Sequence, residues 1–136
     1  MSSRDERPVY IRFVCFKTVE GHRHALGIFQ ARDDASVSEY AEGWALSLIN
    51  EAYDWFCAHL KEPDRTHADT RWRPGNPGLS WFKPDAFEHI QRMYDMKMGL
   101  EACGIHVDVL TTRDVGQVLY EDAHQICAVP SARTFA

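Results

Sequence analysis

The N-terminal part of the chain alternates at period two. Val9, Ile11, Phe13 and Cys15 interleave with Tyr10, Arg12, Val14 and Phe16, and aromatic and β-branched residues in that pattern predict a strand largely buried on both faces. Glu20-Gly21-His22 supplies a turn, and residues 25–31 read as a returning strand, although the same residues can open a helix. The period then lengthens. Val37, Tyr40, Ala41, Trp44, Leu48, Ala52, Trp55, Phe56 and Leu60 recur at steps of three and four, which predicts a long amphipathic helix. Ser36-Val37-Ser38-Glu39 fits a capping box at its start, and Pro63 stops it.

A second helix is predicted from Pro84-Asp85, where proline suits the first turn and Asp85 and Glu88 suit the positive dipole end. Phe87, Ile90, Met93, Tyr94, Leu100 and Cys103 form its expected buried face, with His89 at the boundary and Gly104 as a left-handed C′ residue. Met93, Met96 and Met98 surround this helix, so at least one is expected to be exposed. Three strands follow: Ile105–Leu110, Gln117–Glu121 and His124–Val129. A two-residue turn at Asp122-Ala123 would set Glu121 opposite His124 and Tyr120 opposite Gln125. The order ββααβββ predicts one α+β domain over residues 1–136, two long helices packed on a largely antiparallel sheet of four or five strands. Ile11, Phe13, Trp44, Leu48, Phe56, Ile90, Leu100, Val107 and Ile126 are its expected core.

Residues 1–7 read as a polar tail, and residues 61–83 as a long loop between the helices. That loop carries Pro63, Pro74, Pro77, Gly75, Gly78 and the run Arg71-Trp72-Arg73. Loops of this length in a compact domain are uncommon and tend to be functional or disordered. Arginine forks beside indole rings are what an anion or nucleotide site uses, so Arg71, Trp72, Arg73, Trp81, Lys83 and the strand charge Arg12 are the candidate ligand-binding residues. The competing view makes Trp72 and Trp81 hydrophobic plugs over the core and lets Arg12 snorkel at a sheet edge.

Charge sharpens this contrast. The chain of 136 residues has a formal charge of −5 and a pI near 5.8. That balance disfavours nucleic acid and acidic membranes as bulk partners. Residues 61–83 contribute +5 − 3 = +2, leaving −5 − 2 = −7 for the remainder. Cys15, Cys57, Cys103 and Cys127 are scattered through apolar patterns, the usage of small buried hydrophobes in a reducing compartment. With no signal-like N-terminal segment and no apolar run near the roughly 20 residues of a spanning helix, a cytoplasmic, non-membrane protein is expected.

Two other clusters merit a chemical reading. His106 and Asp108 on one strand face, with Glu121, Asp122 and His124 at the hairpin, hold the elements of a general base and its orienter. Positions i and i+2 of a strand are about 7 Å apart, however, and no activated nucleophile accompanies them. His22 and His24, with His67 and Asp69, form only a weak metal pattern, and no metal or cofactor is expected.

The stretches Leu79-Ser80-Trp81-Phe82-Lys83, Glu88-His89-Ile90, Gly104, Val118-x-Tyr120-Glu121-Asp122 and Gln125-x-x-Ala128-x-Pro130 resemble a set of short uncharacterised bacterial single-domain proteins. The resemblance covers most of the chain and brings no assigned activity or catalytic residues. The leading expectation is a non-enzymatic binding or accessory protein that self-associates as a homo-oligomer. A module for an anionic small molecule, using the loop 61–83, is the first alternative. An acid/base enzyme using His106, Asp108, His124 and Arg12 is the second.

Overall fold

The computed structural model describes residues 7–36, 41–60 and 78–135. Its elements run β1 (Tyr10–Val19), β2 (His22–Gly27), α1 (Ile28–Ser36), α2 (Gly43–His59), β3 (Leu79–Phe82), α3 (Phe87–Ala102), β4 (Val107–Thr112), β5 (Gln117–Glu121) and β6 (Gln125–Val129). The class is α+β, as expected, but the order gains a helix and a strand. Residues 28–31 start α1 instead of continuing β2, and its buried Ile28, Ala31 and Ala35 recur at steps of three and four. Residues 79–82, expected to be loop, form β3. Both elements are short, and β3 is hidden in sequence by Pro77, Gly78 and Pro84 on either side.

Strands pair in the order β2-β1-β3-β6-β5, and β4 pairs with β1 off this path. The pairings along the path are all antiparallel. The chain divides into two compact units, and β1 and β4 run through both.

Unit 1 comprises described residues 7–12, 78–86 and 111–135. Here Ile11 pairs with Phe82, Trp81 with Ile126 and Ser80 with Cys127. Trp81, Phe82, Ile126, Cys127 and Ala128 are buried at its centre. The β5–β6 turn differs from the expected one: Glu121 faces Ile126 and Tyr120 faces Cys127. Asp122 causes the shift. Its Oδ1 accepts the amides of His124 (2.8 Å) and Gln125 (3.0 Å), and its Oδ2 accepts the Tyr120 hydroxyl (2.8 Å) and the Gln125 side-chain amide (3.2 Å). The bend therefore forms at Ala123-His124, closed by the Asp122 amide donating to the Gln125 carbonyl at 3.0 Å.

Unit 2 comprises described residues 13–36, 41–60 and 87–110. Val19 faces His22 across a two-residue turn in which Glu20 and Gly21 take φ of 53° and 79°, the primed geometry that matches strand twist. Helices α2 and α3 run antiparallel: Gly99, late in α3, lies against Ala45 and Ile49, early in α2, while His89 reaches His59 at the opposite ends. Helix α2 starts at Gly43 after the N-cap Glu42, whose side chain makes no capping bond. The expected capping box is therefore not its start: Ser36 ends α1, and residues 37–40 lie outside the described residues. The helix ends at His59, short of Pro63. Helix α3 begins at Phe87, after a turn at Pro84-Asp85. Its far end carries the expected Gly104 at φ 86°, with the Gly104 amide donating to Glu101 O and the Ile105 amide to Leu100 O, both 3.0 Å, which is a complete Schellman motif.

The buried faces differ from expectation at several positions: Ile11, Leu48 and Ile90, expected in the core, are only half-buried, and His89, expected at the boundary, is buried. Trp44, Phe87 and Tyr94 are exposed, and Cys57 is an exposed thiol. Ile49, one residue after Leu48, takes the inward position on α2. Met93 and Met96 are buried while Met98 is exposed, as anticipated for one of the three. No helix among the described residues is long and apolar enough to cross a membrane.

Candidate functional site

A concave site of about 440 Å³ opens in unit 1, lined by Arg7, Val9, Thr111, Thr112, Arg113, Asp114, Arg133 and Thr134. Three distant stretches build it: the residues leading into β1, the end of β4 with its following turn, and the turn at 131–135. The first two stretches are bonded to each other, and the second is braced internally. The Arg113 guanidinium donates from Nη1 to the Arg7 carbonyl at 2.6 Å. The Thr112 hydroxyl donates to the Asp114 carbonyl and accepts the Asp114 amide, both at 3.1 Å. Asp114 Oδ1 then accepts the Gly116 amide at 3.0 Å.

Gly116 sets how closely the turn approaches the C-terminal stretch. It holds φ 95°, and a Cβ there would run into the Val129 carbonyl and the Ser131 amide. Only glycine meets both demands. Beyond it, the Ser131 amide donates to Thr134 Oγ1 at 2.9 Å, the Thr134 amide to Ser131 O at 3.2 Å, and the Arg133 amide to Ser131 Oγ at 3.1 Å. Thr134 is buried as the hub of this small turn.

The charged lining residues are three guanidiniums and one carboxylate, +3 − 1 = +2. This is a local reversal in a chain whose formal charge is −5. Guanidiniums stay charged at any relevant pH and present planar forks that match oxyanions, and threonine hydroxyls add neutral donors. The arrangement is chemically suited to holding a small anion.

The residues singled out in sequence are placed otherwise. Arg71, Trp72 and Arg73 lie outside the described residues. Trp81 is fully buried in β3, beside Phe135 at 6.0 Å between ring centroids, and its indole N–H has no acceptor among the described residues. This burial gives Trp81 the role of a core plug. Lys83 pairs with Glu121 at 2.6 Å, and its amide donates to His124 O at 2.9 Å. Arg12 donates to the Ser80 carbonyl at 3.1 Å.

His106 and Asp108, expected to be too far apart, meet at 2.7 Å between Nε2 and Oδ1. His106 precedes β4, so strand spacing does not govern it, and the imidazole reaches along to its neighbour. Its other nitrogen lies 3.2 Å from Glu101 Oε2, and Glu101 Oε1 accepts Lys97 at 2.7 Å. The hydrogen bond from Lys97 holds the Glu101 carboxyl below its ordinary pKa against a partial burial that opposes it, with the Val107 amide assisting. The His106 side chain is 72% exposed, so the four residues form an open ionic ladder instead of an acid/base cleft. Arg12 bonds to Ser80 and the His124 amide to Asp122, both within unit 1. His67 and Asp69 lie outside the described residues.

Sequence reasoning missed Arg7, Arg113, Arg133 and the threonines. Arg7 read as tail, and Arg113-Asp114 falls between the expected strands Ile105–Leu110 and Gln117–Glu121; no periodicity joins positions 7, 113 and 133. The one local hint was Asp114 two residues before Gly116, a spacing that marks an ordered turn. No protein-family model, curated protein or solved structure matches this chain, so its site is defined by its own geometry.

Proposed function

We propose that this protein is a non-enzymatic binding domain for a small anionic ligand, held in the arginine–threonine cleft of unit 1. One observation carries the reading: Arg7, Arg113 and Arg133 line a cleft of about 440 Å³ together with Thr111, Thr112 and Thr134. The volume falls in the range of small-molecule sites, and the hydrogen-bonded turns around Asp114 and Ser131 support preorganisation of the lining. A reducing, cytoplasmic setting goes with it, because Cys15, Cys103 and Cys127 are buried thiols.

The test is a thermal-shift titration with phosphate, sulfate and small phosphate esters on the wild type and Arg133→Ala. A ligand that binds only the folded state adds about 2.7 kcal/mol at a hundredfold excess over its dissociation constant. Stabilisation in the wild type, lost in Arg133→Ala, is expected. An absence of stabilisation by any of these anions sinks the reading.

A second reading, self-association, is favoured by a separate feature. Phe87, Tyr94 and Met98 are exposed at spacings of seven and four along α3, which sets them on one face of the helix. The two readings are compatible, since a ligand-binding domain can also be a homo-oligomer.

A further inference from the structure

Resting on the anion-binding reading, we infer that the ligand is a hydroxyl-bearing phosphate ester, its phosphate held by the arginines and its hydroxyls read by Asp114. Two features of the cleft point beyond a bare oxyanion. The first is size. A tetrahedral oxyanion takes a few times the roughly 30 Å³ that a water molecule takes in the liquid, a minor part of a cleft of about 440 Å³. The rest leaves room for further ligand atoms, and Val9 offers them an apolar wall.

The second is the carboxylate. A unit negative charge about 5 Å from a bound anion weakens binding by about fourfold even at the dielectric of water. A cleft evolved for a bare anion has no use for Asp114. Nor does the turn need its charge, since the turn uses only Oδ1, the acceptor of the Gly116 amide. Asparagine supplies the same oxygen and favours the same turn. Asp114 Oδ2 is therefore an acceptor that no hydrogen bond of the turn requires among the described residues. Beside three guanidiniums that bind acceptors, Asp114 gives the cleft its one carboxylate, an acceptor that binds donors more strongly than the threonine hydroxyls do. A ligand with an anionic end and hydroxyl groups satisfies both, and charge-assisted bonds to a carboxylate discriminate strongly in favour of such donors.

Isothermal titration with inorganic phosphate, methyl phosphate and ribose 5-phosphate tests this on the wild type and on Asp114→Asn. The wild type is expected to bind ribose 5-phosphate about tenfold or more tightly than either other probe, the size of one charge-assisted hydrogen bond. Asp114→Asn is expected to reduce that preference to about threefold or less while binding inorganic phosphate at least as well as the wild type. Retained phosphate binding shows that the variant's cleft is intact. Equal affinity of the wild type for methyl phosphate and ribose 5-phosphate overturns the inference without needing any variant, and leaves the anion reading standing. A ribose 5-phosphate preference that survives in Asp114→Asn also overturns it. Binding of none of the three probes removes the anion reading itself.

Discussion

Thr112 and Asp114 close a reciprocal pair of hydrogen bonds around Arg113, the threonine hydroxyl donating to the Asp114 carbonyl and accepting its amide, both at 3.1 Å. The pair fixes the backbone on both sides of the arginine that also reaches the Arg7 carbonyl. Thr112 is buried, so water cannot readily replace it.

Thr112→Val keeps the shape and removes both bonds. An orphaned polar group at a buried position costs about 1–3 kcal/mol. The expected result is a urea midpoint lowered by that amount of stability, together with weaker anion binding because Arg113 loses its brace. An unchanged midpoint would show that the pair contributes nothing.

Gly99 tests the antiparallel packing of α2 and α3. A Cβ there would lie 2.6 Å from Ile49 Cγ1 and 2.8 Å from the Ala45 carbonyl oxygen. Two effects compete in Gly99→Ala. Helix propensity favours alanine by about 1 kcal/mol, while overpacking costs about 1–3 kcal/mol. One of the obstructing atoms is backbone and cannot rotate away, so the clash should win. Net destabilisation by denaturant is expected, and a more stable variant would contradict the close approach.

Acid should unfold the protein partly through Asp122. Burial opposes ionisation of this carboxyl, but the hydrogen bonds from the His124 amide, Tyr120, and the Gln125 side chain and amide outweigh it, so its folded pKa lies below the ordinary 3.8. A lowered folded pKa means the stabilisation is fully present above the unfolded value and is lost as pH falls through the folded one. Wild-type stability should therefore drop below about pH 4. Asp122→Ala should start about 1–3 kcal/mol less stable at neutral pH and show a flatter acid limb. Glu101, also lowered, keeps some acid slope in both proteins, so the difference between the two curves isolates Asp122. Parallel curves would rule out the assignment.

How much of this was legible in sequence follows from the range of each interaction. Gly104 could be placed as a left-handed cap because a Schellman motif is local, and β1, α2 and α3 announce themselves by period. β3 is only four residues long, and Trp81 within it looked like a loop residue among prolines and glycines. Its burial comes from β6, whose Ile126 lies directly across. The cleft was invisible for a related reason: Arg7, Arg113 and Arg133 have no common period, and only tertiary pairing gathers them. Periodicity likewise marked Phe87 and Tyr94 as belonging to an apolar set but could not say which side of α3 the rest of unit 2 covers.

That uncovered side yields the last prediction. Phe87 is 77% exposed, Met98 59% and Tyr94 48%, a stripe too apolar for one helix face to leave to water without a reason. Tyr94 also packs edge-on against Phe13 at 5.0 Å, so replacing it would confound stability with association. Phe87→Glu/Met98→Glu avoids that difficulty, because both side chains are exposed on the single chain and their loss should leave the monomer's own stability nearly unchanged. If a second copy covers the stripe, sedimentation velocity should show the wild type as an oligomer. The variant's dissociation constant should then rise by about a hundredfold, since each large apolar side chain contributes about 1.5–3 kcal/mol when buried. A wild type that sediments as a monomer at every attainable concentration would eliminate self-association through this face.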